Sequence, residues 1–205
     1  EEGVRYIRAR WRAASAPGVF LRNLRQVRHV SALDLALEIA AELPDTATGL
    51  LNELMTVLSE APATDPARTD PFWRRMLAHP DPALRAQAVR ALGRVEHGDF
   101  AALLVPIVTD ARASASLRLD ALRACAEAGD APSTETLWAL ASDRLEDVDL
   151  CQEAARRLVG RADAELRRRA LAWLGRGVDV ESEVVDTMAV LAGRGASPAE
   201  AADLL

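Results

Sequence analysis

The chain has 205 residues, half of them hydrophobic but only 4% aromatic, and Ala and Leu supply most of the apolar content. Because both residues favour helices and no long stretch alternates apolar with polar residues, the composition argues against a β-rich fold and predicts an all-α protein. The net charge of −6 argues against a dedicated nucleic-acid binder, which normally carries a basic domain or stripe.

The first 30 residues differ from the rest, because seven Arg there oppose two Glu. The chain contains no Lys, which we attribute to codon bias in a GC-rich bacterial genome. A helix is predicted over 3–14, and its four Arg surround two aromatic residues: Arg5, Arg8, Arg10 and Arg12 with Tyr6 and Trp11. This pattern is compatible with a membrane-surface helix, with a nucleic-acid contact, or with a helix that caps a helical array and exposes its Arg face.

Further helices are predicted over 18–29, 31–43, 46–60 and 70–79, and their apolar stripes suit irregular hairpins of one array. The stretch 61–71, APATDPARTDP, is the only linker-like segment, and we expect a long loop there. Asp precedes Pro at 65–66, 70–71 and 81–82, and each pair favours the start of a helix. Pro106 is the one proline expected inside a helix, where it should introduce a kink.

A repeat of 33 residues starts near residue 80. Helices predicted around 80–95, 115–128, 148–160 and 182–193 share four positions spaced i, i+4, i+5 and i+8, which form one helix face. These columns are Leu84, Leu117, Leu150 and the exception Glu183; Ala88, Ala121, Ala154 and Thr187; Val89, Leu122, Ala155 and Met188; and Leu92, Cys125, Leu158 and Leu191. The alanine column predicts a close approach between neighbouring helices.

A second set of helices alternates with the first, over 99–111, 132–143, 163–177 and, in a shorter last copy, 197–205. Each unit of the repeat is therefore predicted to be a helical hairpin with two amphipathic helices. One hairpin cannot bury both of its apolar faces, whereas stacked hairpins can. The pattern accordingly predicts an extended stack of hairpins.

The segment 81–110, DPALRAQAVRALGRVEHGDFAALLVPIVTD, resembles a HEAT-like repeat of the short bacterial type that also occurs in phycobilisome lyases. The matching features are an Asp-Pro opening, an Arg after the first core Leu, an Ala-rich first helix ending in Leu-Gly and a second helix ending in Asp. They are Asp81, Pro82, Arg85, Ala88, Leu92, Gly93 and Asp110. The next unit keeps Leu117, Arg118, Ala121 and Asp143, whereas Cys151 takes the Arg position in the third.

The resemblance implies a right-handed α-α superhelix, so we expect one solenoid over 1–205 with about 12 or 13 helices. Residues 1–79 would form irregular hairpins and 80–205 the regular repeats. In HEAT-like arrays the second helices line the concave face, and here they carry an Arg run and a Trp on successive copies: Arg167, Arg168 and Arg169 with Trp138.

Trp and Arg are enriched at binding hot spots, so this group is a candidate site for an acidic segment or a phosphate. A solvated face whose Arg residues pair with acids such as Glu165 explains the same residues, and we favour that interpretation. Trp73 with Arg74 and Arg75 repeats the pairing upstream and belongs to the same candidate surface.

No catalytic, cofactor or metal site is expected. His29, His79 and His97 lie far apart without partners at helical spacing, and no Gly-rich phosphate loop is present. Cys125 falls in a core column and Cys151 in a slot that we expect to face outwards, and neither has a His or Lys cue for reactivity. Two cysteines make no disulfide framework and no run of about 18 apolar residues occurs, so a cytoplasmic location is expected.

These features favour a non-catalytic scaffold or adaptor that binds another protein through the concave face. One alternative is a HEAT-fold enzyme, because the resemblance extends to alkylpurine DNA glycosylases and chromophore lyases. The net charge of −11 after residue 30 argues against the basic groove that a glycosylase needs. The other alternative is an adaptor at the cytoplasmic face of a membrane, with an anchor upstream of Glu1 and a membrane contact through the Arg-rich segment.

Overall fold

A computed structural model describes residues 2–14, 17–27, 30–60, 66–95, 100–127, 132–143, 145–176 and 182–193. These residues form twelve α-helices and one 3₁₀ turn and contain no β-strand, which confirms the all-α prediction. The helices are α1 (Glu2–Arg10), α2 (Pro17–Arg25), α3 (Val30–Glu42), α4 (Thr48–Ser59), α5 (Pro66–Leu77), α6 (Pro82–Gly93), α7 (Ala101–Thr109), α8 (Ala115–Glu127), α9 (Thr134–Ser142), α10 (Val148–Val159), α11 (Ala164–Leu174) and α12 (Ser182–Gly193). The 3₁₀ turn, Trp11–Ala13, follows α1, and the helix expected over 197–205 lies outside the described residues.

The chain divides into two compact units. The first comprises residues 1–107 and 123–131 and the second 108–122 and 132–205, so α7 and α8 belong partly to each. In the first unit, contacts join α1 to α3, α3 to α5, α2 to α4 and α4 to α6, and they also join α1 to α2, α3 to α4 and α5 to α6. The odd-numbered and even-numbered helices of this unit therefore form two layers. In the second unit, α10 contacts α9 and α12, and α11 contacts α12.

The predicted columns of the repeat correspond to buried positions of α6, α8, α10 and α12. Every residue of the third and fourth columns is completely buried, and so are the three alanines of the second. Two exceptions, the exposed Glu183 and the partly exposed Thr187, lie where the pattern itself weakens, whereas Leu117 fits the pattern and is still partly exposed. Val184, the residue after Glu183, is completely buried and supplies the missing apolar contact in α12.

Gly93, the last residue of α6, lies in close contact with α8. A Cβ atom added there would lie 2.9 Å from both the Cα and the Cβ of Ala124 in α8, and 2.9 Å from a carboxylate oxygen of Glu127. The backbone of Ala124 cannot rotate away as a long side chain can. The close approach predicted from the small residues therefore depends on glycine at this position.

Arg85 and Arg118, which follow the first core Leu in two successive repeat units, each hydrogen-bond to backbone carbonyls. Arg85 donates from Nη1 to the carbonyl oxygens of His79 and Pro80, at 2.7 and 3.0 Å. Arg118 donates from Nε to the carbonyl oxygen of Val108, at 2.9 Å. These carbonyls lie at or just after the C-termini of α5 and α7, where the helix leaves its last carbonyls without internal donors. The Arg therefore satisfies the end of the preceding helix.

Cys151 occupies the same slot in the third unit, and the expectation that it faces outwards is wrong. Its side chain is buried, and its Sγ lies 3.3 Å from the carbonyl oxygen of Leu140 and 3.5 Å from that of Asp143. The thiol thus donates weakly to the end of α9, as the guanidinium does in the other units. Because this slot faces the preceding helix end, a residue placed there is covered whatever its polarity.

Arg118 also forms the most buried ion pair among the described residues. Its Nη1 and Nη2 bind the two carboxylate oxygens of Glu146 at 2.7 and 2.6 Å. The two side chains are only 8% and 14% exposed, so water screens the pair weakly. Glu146 precedes α10 and also accepts the backbone N–H of Asp147, at 3.2 Å. The pair therefore holds the start of α10 against α8 within the second unit.

Helix α5 begins at Pro66, so the prediction of a loop over 61–71 and of a helix starting at Asp70-Pro71 is wrong. Residues 61–65 lie outside the described ranges, but Pro71 is the sixth residue of the helix and lies inside it, as Pro106 lies inside α7. Four buried side chains at helical spacing hold this helix against the core on both sides of the proline: Thr69, Phe72, Trp73 and Met76. Their packing outweighs the loss of one backbone N–H donor.

His79 follows α5 and is buried. Its Nδ1 accepts the backbone N–H of Asp81 at 3.0 Å, so its Nε2 carries the proton and donates to the carbonyl oxygen of Asp45 at 3.1 Å. Both ring nitrogens therefore join backbone groups of two connecting segments, which is a structural role. His29 and His97 lie outside the described residues.

Replacing Gly93 tests the close approach of α6 and α8. We expect Gly93→Ala to lower the free energy of unfolding by about 1–3 kcal/mol, because the new methyl group overlaps the backbone of Ala124. Gly193→Ala is the matched control: Gly193 also ends its helix, but it has open space around the added Cβ. Thermal and urea unfolding followed by circular dichroism measure both changes. Equal stability of the two variants would contradict the proposed contact.

Removing the Arg118 side chain tests the buried pair. We expect Arg118→Leu to cost about 3 kcal/mol of unfolding free energy, because it leaves the Glu146 carboxylate without its partner. Arg85→Leu removes the equivalent residue, whose partners described above are two carbonyl oxygens, and should cost about 1 kcal/mol. Denaturant titrations compare the two. Adding Glu146→Gln to Arg118→Leu should recover part of the loss, and no recovery would show that the charge is not the cause.

Candidate partner-binding surface

Trp138 on α9 and Arg169 on α11 are in direct contact, and this is the most specific feature of the predicted surface. The guanidinium carbon of Arg169 lies 4.6 Å from the centroid of the Trp138 ring, within the range of a cation–π interaction. The same guanidinium donates from Nη1 and Nη2 to the two carboxylate oxygens of Glu135, at 2.6 and 3.1 Å. Arg169 is thus held on its face by an aromatic ring and on its edge by a carboxylate.

The two helices place these side chains at the border between core and solvent. Trp138 follows Leu137, which is completely buried, and Arg169 precedes Ala170, which is also completely buried. Both Trp138 and Arg169 are therefore half-buried, and their outer atoms face water. Nearly one turn further along α11, Ala172 is exposed on the same side of the helix as Arg169 and provides a small apolar neighbour.

The charges of this surface are already balanced. Arg169 lowers the pKa of the Glu135 carboxyl, chiefly through the side-chain hydrogen bonds and then through charge, while desolvation opposes the shift. Arg168 is 76% exposed and pairs with Glu165, three residues before it. Arg167 is partly buried and also has an interaction partner. The solvated-face interpretation thus accounts for Arg168, whereas the aromatic contact of Arg169 goes beyond it.

Glu135 was not among the residues that the sequence singled out, although a signal for it exists. It lies 34 residues before Arg169, close to one repeat length. Opposite charges at a similar separation also pair between neighbouring odd-numbered helices in the first unit. Those pairs are Arg8 with Glu38, Arg12 with Glu42, Asp34 with Arg68 and Asp45 with Arg75. Searching for opposite charges one repeat apart would have found it.

Trp73 is a core residue, so its expected role at a binding surface is wrong. It is completely buried, in edge-to-face contact with Phe72 and Phe100 at centroid distances of 5.3 and 6.5 Å. The indole lies on the stripe that holds α5 across Pro71, which explains its burial. Arg74, the next residue, is 64% exposed and pairs with Asp70 one turn earlier.

Arg75 closes the end of α3. It donates to the carbonyl oxygens of Ala40 and Leu43, at 2.8 and 2.7 Å, and to the carboxylate of Asp45 at 2.6 Å. Two of its four hydrogen bonds therefore satisfy carbonyls at the end of a neighbouring helix, and the other two go to Asp45. Its side chain is still 32% exposed.

An apolar groove between α3 and α5 was not predicted, because the loop expected over 61–71 removed half of α5. The groove has a volume of about 260 Å³ and lies within the first unit. It is lined by Leu37, Ala40, Ala41, Pro71 and Phe72, with Arg68 and Arg75 at its edges. Both Arg pair with acids of the same unit, so the groove has no net charge that selects a ligand.

The Arg-rich start of the chain is largely engaged within the first unit. Arg8 binds Glu38 at 2.8 Å and Arg12 binds Glu42, both on α3. The guanidinium of Arg10 lies 5.0 Å from the Tyr6 ring centroid. These contacts are those of a helix held against its neighbour with its Arg face outwards, which is one of the three alternatives raised for this segment.

No family model, curated protein or solved structure matches this chain. The likeness to HEAT-like repeats accordingly stays a prediction, and the surface is interpreted from its own residues. Within the described ranges, no group of three or more His, Cys, Asp or Glu side chains is placed to hold a metal ion. No helix in those ranges is long and apolar enough to cross a bilayer.

The cysteines are expected to be inert in the folded protein. Burial, followed by the charges of Glu146, Asp143 and Asp147, raises the pKa of the Cys151 thiol to about 11, so it stays protonated at pH 8. Cys125 is completely buried. We expect no reaction of either thiol with iodoacetamide at pH 8 in buffer and two labels per chain in denaturant, read by mass spectrometry. Ala139→Cys, which adds an exposed thiol on α9, is the positive control. Labelling of native Cys151 at the rate of that control would contradict the assignment.

Proposed function

We propose that this protein is a non-catalytic scaffold of HEAT-like helical hairpins that binds another protein through its odd-numbered helices. The contact of Trp138 with Arg169 carries the proposal. Trp and Arg are among the residue types most enriched at the hot spots that dominate binding energy at protein interfaces. The indole adds apolar area at little cost in side-chain entropy, and the stacked guanidinium is already oriented.

The repeat supports the scaffold part of the proposal. Equivalent buried positions recur every 33 or 34 residues in α6, α8, α10 and α12, and the helices of the first unit alternate between two layers. Both properties are typical of stacked hairpins. We infer a continuous right-handed solenoid over 1–205, which would present the odd-numbered helices as one extended surface. A cytoplasmic location is part of this proposal.

The charge balance indicates the kind of interface. Arg168 and Arg169 are both paired with glutamates, so a phosphate would have to displace two carboxylates or bind beside them. A protein partner can first cover Trp138 with apolar side chains, and it meets only the exposed Glu135 carboxylate at Arg169. The surface therefore favours a mixed apolar and polar protein interface over a polyanion.

The test removes the surface and keeps the fold. The triple variant Trp138→Ala, Arg168→Ala and Arg169→Ala should retain its helical circular dichroism signal and lose the partner captured from an extract of the source organism. With that partner purified, calorimetry should show a Kd about 30-fold higher or more, since truncating hot spots costs about 2 kcal/mol or more. Arg22→Ala is the matched control, because Arg22 is also mostly exposed and faces a glutamate, Glu53, at 3.9 Å. An unchanged Kd for the triple variant would show that the partner does not bind at this surface.

A further inference from the structure

We infer that the surface around Trp138 selects a partner segment with a carboxylate beside an apolar side chain, and that Glu135 holds the place of that carboxylate in the free protein. This inference rests on the proposed function and names the chemistry of the partner. It is carried by the asymmetry of the pair between Glu135 and Arg169.

The two partners of this pair differ strongly in exposure. The side chain of Arg169 is 26% exposed and is stacked on Trp138, whereas that of Glu135 is 75% exposed. The guanidinium is therefore the fixed half of the pair and the carboxylate the mobile half. Moving Glu135 aside leaves an oriented fork of two N–H donors, a geometry that matches a carboxylate.

The neighbouring residues indicate what should flank the incoming carboxylate. Trp138, which is half-buried against the guanidinium, offers the edge of its ring, and Ala172 is exposed on the same side of α11 as Arg169. These side chains offer apolar area next to the fork. A segment with an acidic residue next to an aliphatic or aromatic residue would use both parts of the surface.

The same surroundings favour a carboxylate over a phosphate group. A phosphate carries a charge of about −1.5 to −2 and is usually held by several cations. Here Arg168 is already paired with Glu165, and the Glu135 carboxylate stays beside the fork after displacement. A single carboxylate brings one negative charge beside the displaced Glu135, whereas a phosphate brings up to about two, so the carboxylate leaves less uncompensated charge.

A second pair on the same helix provides the comparison. Glu165 and Arg168 lie three residues apart on α11 and are both well exposed, at 58% and 76%. Their Arg has no aromatic ring among the contacts described for it, so its guanidinium is not oriented in advance. Glu165 acts on Arg169 through its charge alone, whereas Glu135 also occupies the hydrogen-bond donors of Arg169, so removing the Glu165 charge should strengthen the binding of a carboxylate less than removing the Glu135 charge.

The test uses random dodecapeptides displayed on phage, panned on the wild-type protein after depletion on Arg169→Ala. Recovered peptides should be enriched in Asp or Glu next to an apolar residue. A synthetic peptide should then bind Glu135→Gln about two- to fivefold more tightly than wild type by fluorescence polarisation, because the internal competitor is gone. Glu165→Gln should leave the Kd within about twofold of wild type.

Two further variants separate charge from geometry. Arg169→Ala should weaken the peptide about tenfold or more, and Arg169→Lys, which keeps the charge but loses the planar fork, should restore only part of that loss. Converting the acid of the peptide to its amide should weaken its binding to the wild-type protein as much as Arg169→Ala does. The same conversion should not change the Kd for the Arg169→Ala variant. Circular dichroism checks that all variants remain helical.

The outcomes distinguish this inference from the proposed function. Peptides that depend on Trp138 but show no preference for acids, or a weaker complex with Glu135→Gln, overturn the inference and leave a binding surface at Trp138 standing. Recovery of no peptide that depends on Arg169 also overturns it. The proposed function is decided separately, by the Kd of the natural partner for the triple variant.

Discussion

The backbone carbonyls at the ends of these short helices need hydrogen-bond donors, and much of the structure depends on supplying them. Helices of nine to thirteen residues leave a large share of their carbonyls without an internal donor, and packed neighbours keep water from many of them. The chain supplies donors from the next helix. Arg75, Arg85 and Arg118 each reach back to an earlier helix end, and a thiol takes that part at position 151. Three of the 25 Arg residues are therefore explained by the architecture before any ligand is considered.

The second constraint is close approach. The alanines at 88, 121 and 154 and the glycine at 93 leave little space between helices, so each helix is fixed in position by its neighbours. Side chains at the border of such a core cannot relax far. Arg169 therefore differs from an Arg in an ordinary surface ion pair. Trp138 is half-buried and fixes the position of the guanidinium that stacks on its ring. Binding energy is then not lost in ordering either group.

The described helices lie close to their predicted bounds in both the periodic and the irregular part of the sequence, with α5 as the exception. Columns of Ala and Leu at fixed spacing leave few alternatives for α6, α8 and α10, because any rotation of those helices would expose a whole stripe. Helix α5 was misplaced because Asp70-Pro71 has the local chemistry of a helix start, whereas the stripe of Phe72, Trp73 and Met76 that overrides it is a tertiary contact. Trp73 was misassigned for the same reason. The sequence analysis placed Trp138 and the run Arg167–Arg169 on one surface, and Arg169 contacts Trp138. The role of Glu135 and the groove between α3 and α5 depend on which helices pack together, and a local sequence pattern does not predict that.

The exchange of Arg for Cys in the repeat has a consequence at the level of the gene. Arg codons such as CGC and the Cys codon TGC differ by one base, and a GC-rich coding sequence uses both. A position that requires only a hydrogen-bond donor towards two carbonyls can therefore change between Arg and Cys by a single base substitution. No intermediate residue without a donor is needed. Burial, followed by the charge of Glu146, keeps the thiol at 151 protonated, and a guanidinium at that position would meet the same Glu146 that already binds Arg118. One repeat unit can thus drift between two chemistries while the helical frame around it stays the same.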